Sequence, residues 1–242
     1  MSVQLDRIVP WGRTRDEYSR MFALTSADYA RGILDCGGGP ASFAAESMVA
    51  GHRVIAVDPV YDVPAEVIQS RFEAVAGPML SQVRSTPNDW VWSYHRDPDD
   101  LFHRRREAME RFLVDYPAGL AEKRYQAGEL PTLPFGDGSF GLALCSHLLF
   151  LYSDLLDEAF HVESTLELCR VAREVRFFPI LTLNRNPSPH LNAVRTAVAA
   201  RGWASEILPV EYELLRGAHQ MLRIFRPAPP PVTGAPDPAM VY

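Results

Sequence analysis

Gly32-Ile33-Leu34-Asp35-Cys36-Gly37-Gly38-Gly39-Pro40-Ala41-Ser42-Phe43, with Arg53-Val54-Ile55-Ala56-Val57-Asp58 a little further on, is the stretch from which the fold is read. An apolar run that closes on three glycines is a strand over residues 32–36. The glycines let the backbone turn sharply into a helix and come close to a ligand. The second apolar run, 53–58, is a strand that ends in an acid. Asp58 stands 21 positions after Gly37, the reach of one strand-helix-strand unit. An acid at that strand tip accepts hydrogen bonds from ribose hydroxyls, so the pair of strands points to an adenosine-bearing ligand. Between them, Gly39-Pro40 reads as N-cap and first helical position, where the missing N–H of proline costs little. That helix runs to about Ala50, and Gly51 ends it.

Upstream, Thr14-Arg15-Asp16-Glu17 fits a capping box, with Tyr18, Met21 and Phe22 on one face of the helix that follows. Downstream, Pro64 starts a helix, and the regular alternation then breaks over residues 85–123. Trp90, Trp92 and Tyr94 fall in a loop there, and Asp97-Pro98 opens a helix carrying Arg104-Arg105-Arg106. An insertion of that length between two strands is expected to serve as a lid or a substrate-binding element. The strand pattern resumes at 125–127 and at 140–145, the latter apolar throughout as for a strand covered on both faces. Ser153 caps a long helix through Val171, strand five covers 174–181, and Ser188-Pro189 opens a helix that stops at Gly202. Runs 205–212 and 220–225, joined at Arg216-Gly217, are too close for a helical crossover and must pair antiparallel. The sum is an α/β fold, a doubly wound Rossmann-like sheet of seven strands, mostly parallel with an antiparallel C-terminal strand, plus the helical lid insertion. One domain spans 1–226, and the Pro-rich stretch 227–242 reads as a flexible extension.

The 242 residues suffice for one large α/β domain, and 47% hydrophobic with 22% charged content is ordinary for a soluble globular chain. A net charge of −6 speaks against a general nucleic-acid binder, which needs a basic excess to neutralise phosphates. Cys36, Cys145 and Cys169 lie in apolar runs without a C-x-x-C pair, as buried reduced thiols of a cytoplasmic protein do. No basic-then-apolar leader opens the chain and no apolar run is long enough to span a bilayer, so neither secretion nor a membrane partner is expected.

Several of these residues, in this order, resemble the class I S-adenosylmethionine-dependent methyltransferases. They are an acid one turn before the glycines (Asp35), an acid closing the second strand (Asp58), and a polar residue ahead of Leu-Pro-Phe in Glu129-Leu130-Pro131-Thr132-Leu133-Pro134-Phe135. The resemblance covers roughly residues 32–225, and the segments at 13–22, 149–154 and 176–179 are similar to one bacterial subgroup of that family. It implies S-adenosyl-L-methionine as cofactor and a small-molecule methyl acceptor. It further implies Gly37 and Gly39, with Gly38 between them, at the methionine part, and Asp58 on the ribose. Glu129 and the backbone of Leu130 would lie by the adenine amino group, and Ser146 and His147 near the sulfonium methyl. Ala41 stands where the family often has a third glycine. The chemistry agrees independently. A sulfonium and an ammonium suit acids at strand ends, and a carboxylate suits the N–H groups of a helix N-terminus.

The remaining candidates each have a plain structural reading beside the functional one. His147 could take a proton from the acceptor, or simply line the pocket through a hydrogen bond. Tyr18 and Arg13, ahead of the first strand, could close over the cofactor, with Arg13 pairing its carboxylate, or serve packing and surface charge. Arg104–Arg106 could clamp an anionic substrate, or be a solvated helix face partnered by Glu107 and Glu110. Trp90, Trp92 and Tyr94 could wall a substrate or pack the insertion. No His/Cys/Asp spacing reads as a metal site. Two other functions use the same features: a nicotinamide-dependent oxidoreductase, opposed by Ser42 in the third glycine place, and a non-catalytic cofactor-binding protein on the same fold.

Overall fold

The computed structural model describes residues 11–227, so the first ten residues and almost all of the expected extension 227–242 lie outside it. In chain order the elements are α1 (Arg15–Met21), α2 (Ser26–Ala30), β1 (Ile33–Cys36), α3 (Phe43–Val49), β2 (Val54–Val57), α4 (Ala65–Ser85), α5 (Pro98–Ala121), β3 (Tyr125–Gln126), β4 (Leu142–Ser146), α6 (Glu158–Val171), β5 (Glu174–Phe178), α7 (Leu191–Ala199), β6 (Ala204–Pro209) and β7 (Gln220–Phe225). The seven strands form one sheet in the order β3-β2-β1-β4-β5-β7-β6. All neighbouring pairs are parallel except the two that β7 makes, with β5 and with β6. This is the doubly wound, mostly parallel architecture that the strand-helix alternation predicts.

The period-two alternation of a strand decides which side chains meet. Along β1, Ile33 belongs to the core beneath α1, α3, α4 and α5, while Leu34 and Cys36 belong to the core beneath α6 and α7. Along β4, Leu142 and Leu144 face the first core, and Ala143 and Cys145 the second. Large side chains such as Phe43, Phe112 and Phe177 are fully buried in these two layers, each stabilising the fold by about 1.5–3 kcal/mol. The polar members of the two central strands, Asp35 and Ser146, follow the same alternation. Both therefore face the first layer, toward α1.

Three helix starts differ from the sequence reading, each for a local reason. The helix after the glycine turn begins at Phe43 behind Ser42, not at Gly39-Pro40. Gly39 holds φ 53°, outside the extended conformation of an N-cap. The long helix before β5 begins behind Asp157, whose carboxylate accepts the Phe160 N–H at 2.8 Å. Ser153 is committed elsewhere, donating to the Phe150 carbonyl and meeting the Ser188 hydroxyl, both at 2.8 Å. Ser188 in turn accepts the His190 N–H, and α7 starts at Leu191. Strand five stops at Phe178, because Pro179 has no N–H for the ladder. Strand six stops at Pro209, and Tyr212 is turned into the core.

The capping box at Thr14 is present as expected. Glu17 accepts the Thr14 N–H at 3.0 Å and Thr14 accepts the Glu17 N–H at 3.4 Å. Asp97 caps α5 through the Asp100 N–H. The insertion helix α5 packs on α3, α4 and β3. Its arginine run is divided, and its partners are not the expected Glu107 and Glu110. Arg105 is fully buried on Glu17, Arg104 reaches Asp100 and Arg106 reaches Glu73.

Candidate active site

The C-terminal ends of β1, β2 and β4 open on a cavity of about 970 Å3. This is where an open α/β sheet holds its ligands, at the point where the strand order reverses. Of the residues singled out in the sequence, Arg13, Tyr18, Gly37, Gly38, Gly39, Asp58, Glu129, Leu130, Ser146 and His147 all line it. Asp35 lies directly behind the wall, under Tyr18 and Gly38. Of residues 85–123 only Trp90 contributes wall. Trp92, Tyr94 and the arginine run do not, whereas Arg71, Val75 and Met79 of α4 do.

Gly37 and Gly39 take positive φ, 71° and 53°, and the chain between them passes so close to its neighbours that side chains are excluded. A Cβ on Gly38 would sit 2.6 Å from Asp35 Oδ2 and 3.0 Å from the Tyr61 hydroxyl. Asp58 straps the turn. Its Oδ2 accepts the Gly39 N–H at 2.9 Å and its Oδ1 the Val60 N–H at 2.8 Å. Burial pushes its carboxyl pKa up, and these two bonds oppose the shift. Glu129 stands exposed at the rim while Leu130 beside it is buried.

Asp35 is buried and accepts the Tyr18 hydroxyl at 3.0 and 3.1 Å. Burial pushes its pKa up to about 7, against the Tyr18 bond and with Asp58 adding to the rise. Tyr18 is stacked on Phe43 with ring centroids 4.1 Å apart, and burial and Asp35 hold its phenol well above the usual range. His147 carries φ 52° and its N–H donates to the Phe178 carbonyl at 2.6 Å. Its Nδ1 lies 2.9 Å from Ser146 Oγ. Burial, then Arg13 and Arg105, hold its pKa well below the usual imidazole value, so the ring is neutral near pH 7.

Arg13 belongs to a segment that crosses the glycine turn. Its carbonyl accepts the Ser42 N–H at 3.1 Å, and a Cβ on Gly12 would lie within 1.9 Å of the Pro40 carbonyl oxygen. Its guanidinium donates to the Trp11 carbonyl at 3.0 Å, and its buried Nε has no partner among the described residues. Beneath it, Glu17 receives Arg105 on both oxygens (2.8 and 2.7 Å) and the Tyr212 hydroxyl at 3.0 Å. Both oxygens of that carboxylate are thus taken up by Arg105, and Arg13 makes no ion pair among the described residues, although it feels the charges of Glu17 and Asp35. The residues that sequence reasoning missed are this Glu17–Arg105–Tyr212 hub, Arg71, and Tyr61, whose hydroxyl donates to the Gly39 carbonyl at 2.7 Å. For Tyr61 the sequence held a signal: an aspartate before Pro59 starts a turn that folds the chain back beneath the acid. The other contacts join segments far apart in the chain. Among the described residues no group of three or more His, Cys, Asp or Glu side chains is placed to hold a metal, and no helix is long and apolar enough to cross a membrane.

The sheet order and the glycine-lined cavity define a doubly wound, Rossmann-like α/β protein. No family model matches the chain. It is 31% identical over 216 residues to the uncharacterized protein MJ0045 of Methanocaldococcus jannaschii, covering 89% of this chain and 95% of that one, and it belongs to the family of that protein. Among solved structures, a TehB-like SAM-dependent methyltransferase from Corynebacterium glutamicum matches at 14% identity and TM-score 0.46, covering 87% of this chain and 86% of that one. Magnesium protoporphyrin IX methyltransferase (ChlM) from Synechocystis, with bound SAH, matches at 13% and 0.46, covering 88% and 83%. The pyocyanin biosynthetic protein PhzM matches at 16% and 0.45 over 87% of this chain, which spans 54% of its length, about half.

Proposed function

We infer that the protein is an S-adenosyl-L-methionine-dependent methyltransferase that acts on a small-molecule acceptor by direct in-line displacement. The observation that carries this reading is the convergence of the glycine turn, Asp58 and the Glu129-Leu130 edge on one cavity at the ends of β1, β2 and β4. The cradle fits the cofactor. Gly38 leaves room where a side chain would collide, and acids near the turn suit a molecule with two positive centres. Residues 37–51 themselves hold no basic side chain, and the basic group the fold brings to the turn is Arg13. When bound, the cofactor supplies an electrophilic methyl group on a sulfonium whose leaving group is already activated.

The residues would divide the work. Gly37, Gly38 and Gly39 present backbone to the methionine part, Asp35 lies behind them, Asp58 takes the ribose hydroxyls, and Glu129 with Leu130 borders the adenine. Arg13 has an unpaired Nε to offer a carboxylate. The acceptor side, walled by Met79, Trp90, Phe178, Tyr212 and Leu214, is apolar and would orient a flat apolar molecule and exclude water. In this reading α4 and Trp90 would cover it, Trp90 being the residue of the 85–123 insertion that lines the cavity. His147, which lines the cavity, would receive a proton from the acceptor.

Calorimetric titration with S-adenosylhomocysteine, with NAD as control, tests the reading. Micromolar affinity for the former, lost in Asp58→Ala while the circular dichroism spectrum is kept, is the expected result. Absence of binding, or binding of NAD instead, would overturn it.

A further inference from the structure

Among the described residues, seven buried side-chain nitrogen or oxygen atoms have no hydrogen-bond partner. Two of them, Trp11 Nε1 and Arg13 Nε, belong to residues that line the cavity, and the other five do not. Both stand on the strap that crosses the glycine turn ahead of α1. The Arg13 guanidinium folds back along this strap to donate to the Trp11 carbonyl at 3.0 Å. The Arg105 guanidinium lies over the Trp11 ring, 5.6 Å from its centre. The strap itself is fixed, because the Arg13 carbonyl accepts the Ser42 N–H at 3.1 Å.

A buried donor left without an acceptor is costly, and native structures seldom keep one. The acids nearby have their oxygens engaged. Glu17 receives Arg105 and the Tyr212 hydroxyl, and Asp58 receives the Gly39 and Val60 N–H groups. Trp90, the other indole of the cavity wall, differs from Trp11: its N–H donates to the Thr86 hydroxyl at 3.0 Å.

We propose that Trp11 and Arg13 form a two-donor site for a carboxylate, in which the indole N–H of Trp11 binds beside the guanidinium. A guanidinium without an ion pair calls for an anion. Two N–H donors call for a group with more than one accepting oxygen, and an ionised carboxylate has two oxygens that only accept. A carbonyl or hydroxyl group would leave the charge of Arg13 unanswered. Two ligands of the cavity could bring this carboxylate: the amino-acid part of the cofactor, or an acidic acceptor. The first source rests on the methyltransferase reading; the site itself does not.

The test is NMR of the full chain with 15N-labelled tryptophan, beside calorimetry. The Trp11 indole signal is assigned among the four tryptophans by its loss in Trp11→Phe. Three probes are titrated: S-adenosylhomocysteine, its decarboxylated analogue, and benzoate added to the protein saturated with S-adenosylhomocysteine. If the cofactor brings the carboxylate, S-adenosylhomocysteine moves the Trp11 indole proton downfield and the decarboxylated analogue does not. Affinity for S-adenosylhomocysteine then falls about tenfold in Trp11→Phe and further in Arg13→Gln, while affinity for the analogue is unchanged. If the acceptor brings it, benzoate moves the signal, and the same variants lose benzoate alone. Either result supports the site. It is overturned if no probe moves the signal, or if the folded variants bind S-adenosylhomocysteine and its analogue with equal losses and benzoate as the wild type does. If Trp11→Phe does not fold, Arg13→Gln decides by the same comparison of affinities. A wild type that binds no S-adenosylhomocysteine overturns the methyltransferase reading, and benzoate added to the free protein then judges the site.

Discussion

At the scale of the residue, the site depends on how little room there is. Gly38 is needed because Asp35 and the Tyr61 hydroxyl occupy the place of a side chain. A Gly38→Ala protein must push the Asp35 carboxyl aside to fold. Its affinity for S-adenosylhomocysteine should fall at least tenfold, about 1.4 kcal/mol, while the melting curve moves less, because the turn lies at the edge of the core. Calorimetry beside thermal unfolding separates the two. The glycines, Asp35 and Asp58 were legible in the sequence because backbone turns and strand tips are local. Tyr61 was legible only as a turn residue, since its bond to the Gly39 carbonyl depends on two loops meeting.

At the scale of the element, the short helix α1 is held from three directions. Its capping glutamate is also the partner of Arg105 from α5 and of Tyr212 beyond β6. Glu17→Leu would leave Arg105, fully buried, with no carboxylate. The expected loss of unfolding free energy in urea is about 3–5 kcal/mol. The double variant Glu17→Leu/Arg105→Met should recover part of it, because removing both charges avoids an uncompensated one. The segment ahead of α1 makes a similar demand at Gly12. Its Cβ would lie within 1.9 Å of the Pro40 oxygen, so Gly12→Ala should lift the strap that carries Arg13 and weaken cofactor binding several-fold, read by the same titration. Helix starts were the least legible elements. Ser153 and Ser188 look like caps in sequence, but they spend their hydroxyls on each other.

At the scale of the whole molecule, charge is distributed with opposite effects on stability. Away from the cavity, Glu174 of β5 sits among Arg31, Arg176 and Arg223, which together hold its pKa down to about 2 against the cost of burial. Its folded pKa is below the ordinary glutamate value of 4.5, so its contribution is present above that pH and is lost as the pH falls toward 2. Asp35 runs the other way. Its folded pKa of about 7 exceeds the ordinary aspartate value of 3.8, so its contribution is fully present below pH 3.8 and is lost as the pH rises through 7. Asp35→Asn should therefore unfold at higher denaturant than the wild type at pH 7.5, by roughly 1–3 kcal/mol, and lose that advantage near pH 4. Glu174→Gln should be less stable at pH 7 and approach the wild type as the pH falls. The first result would mean that the site keeps an acid at a cost to stability, as binding sites commonly do.

The sequence by itself determined the order of strands and helices, the antiparallel closing pair, and the glycine turn with its two acids. Each of these follows from chemistry within a few residues: apolar periodicity, a Pro or Gly at a boundary, a loop too short for a crossover. Only the tertiary structure decided that the Tyr18 hydroxyl lies on Asp35, that Tyr212 and Arg105 are buried on Glu17, and that α4 rather than α5 walls the cavity. Those contacts join residues as much as 195 positions apart. They depend on which face of each strand meets which helix, and a linear pattern of apolar and polar residues does not carry that choice of partner.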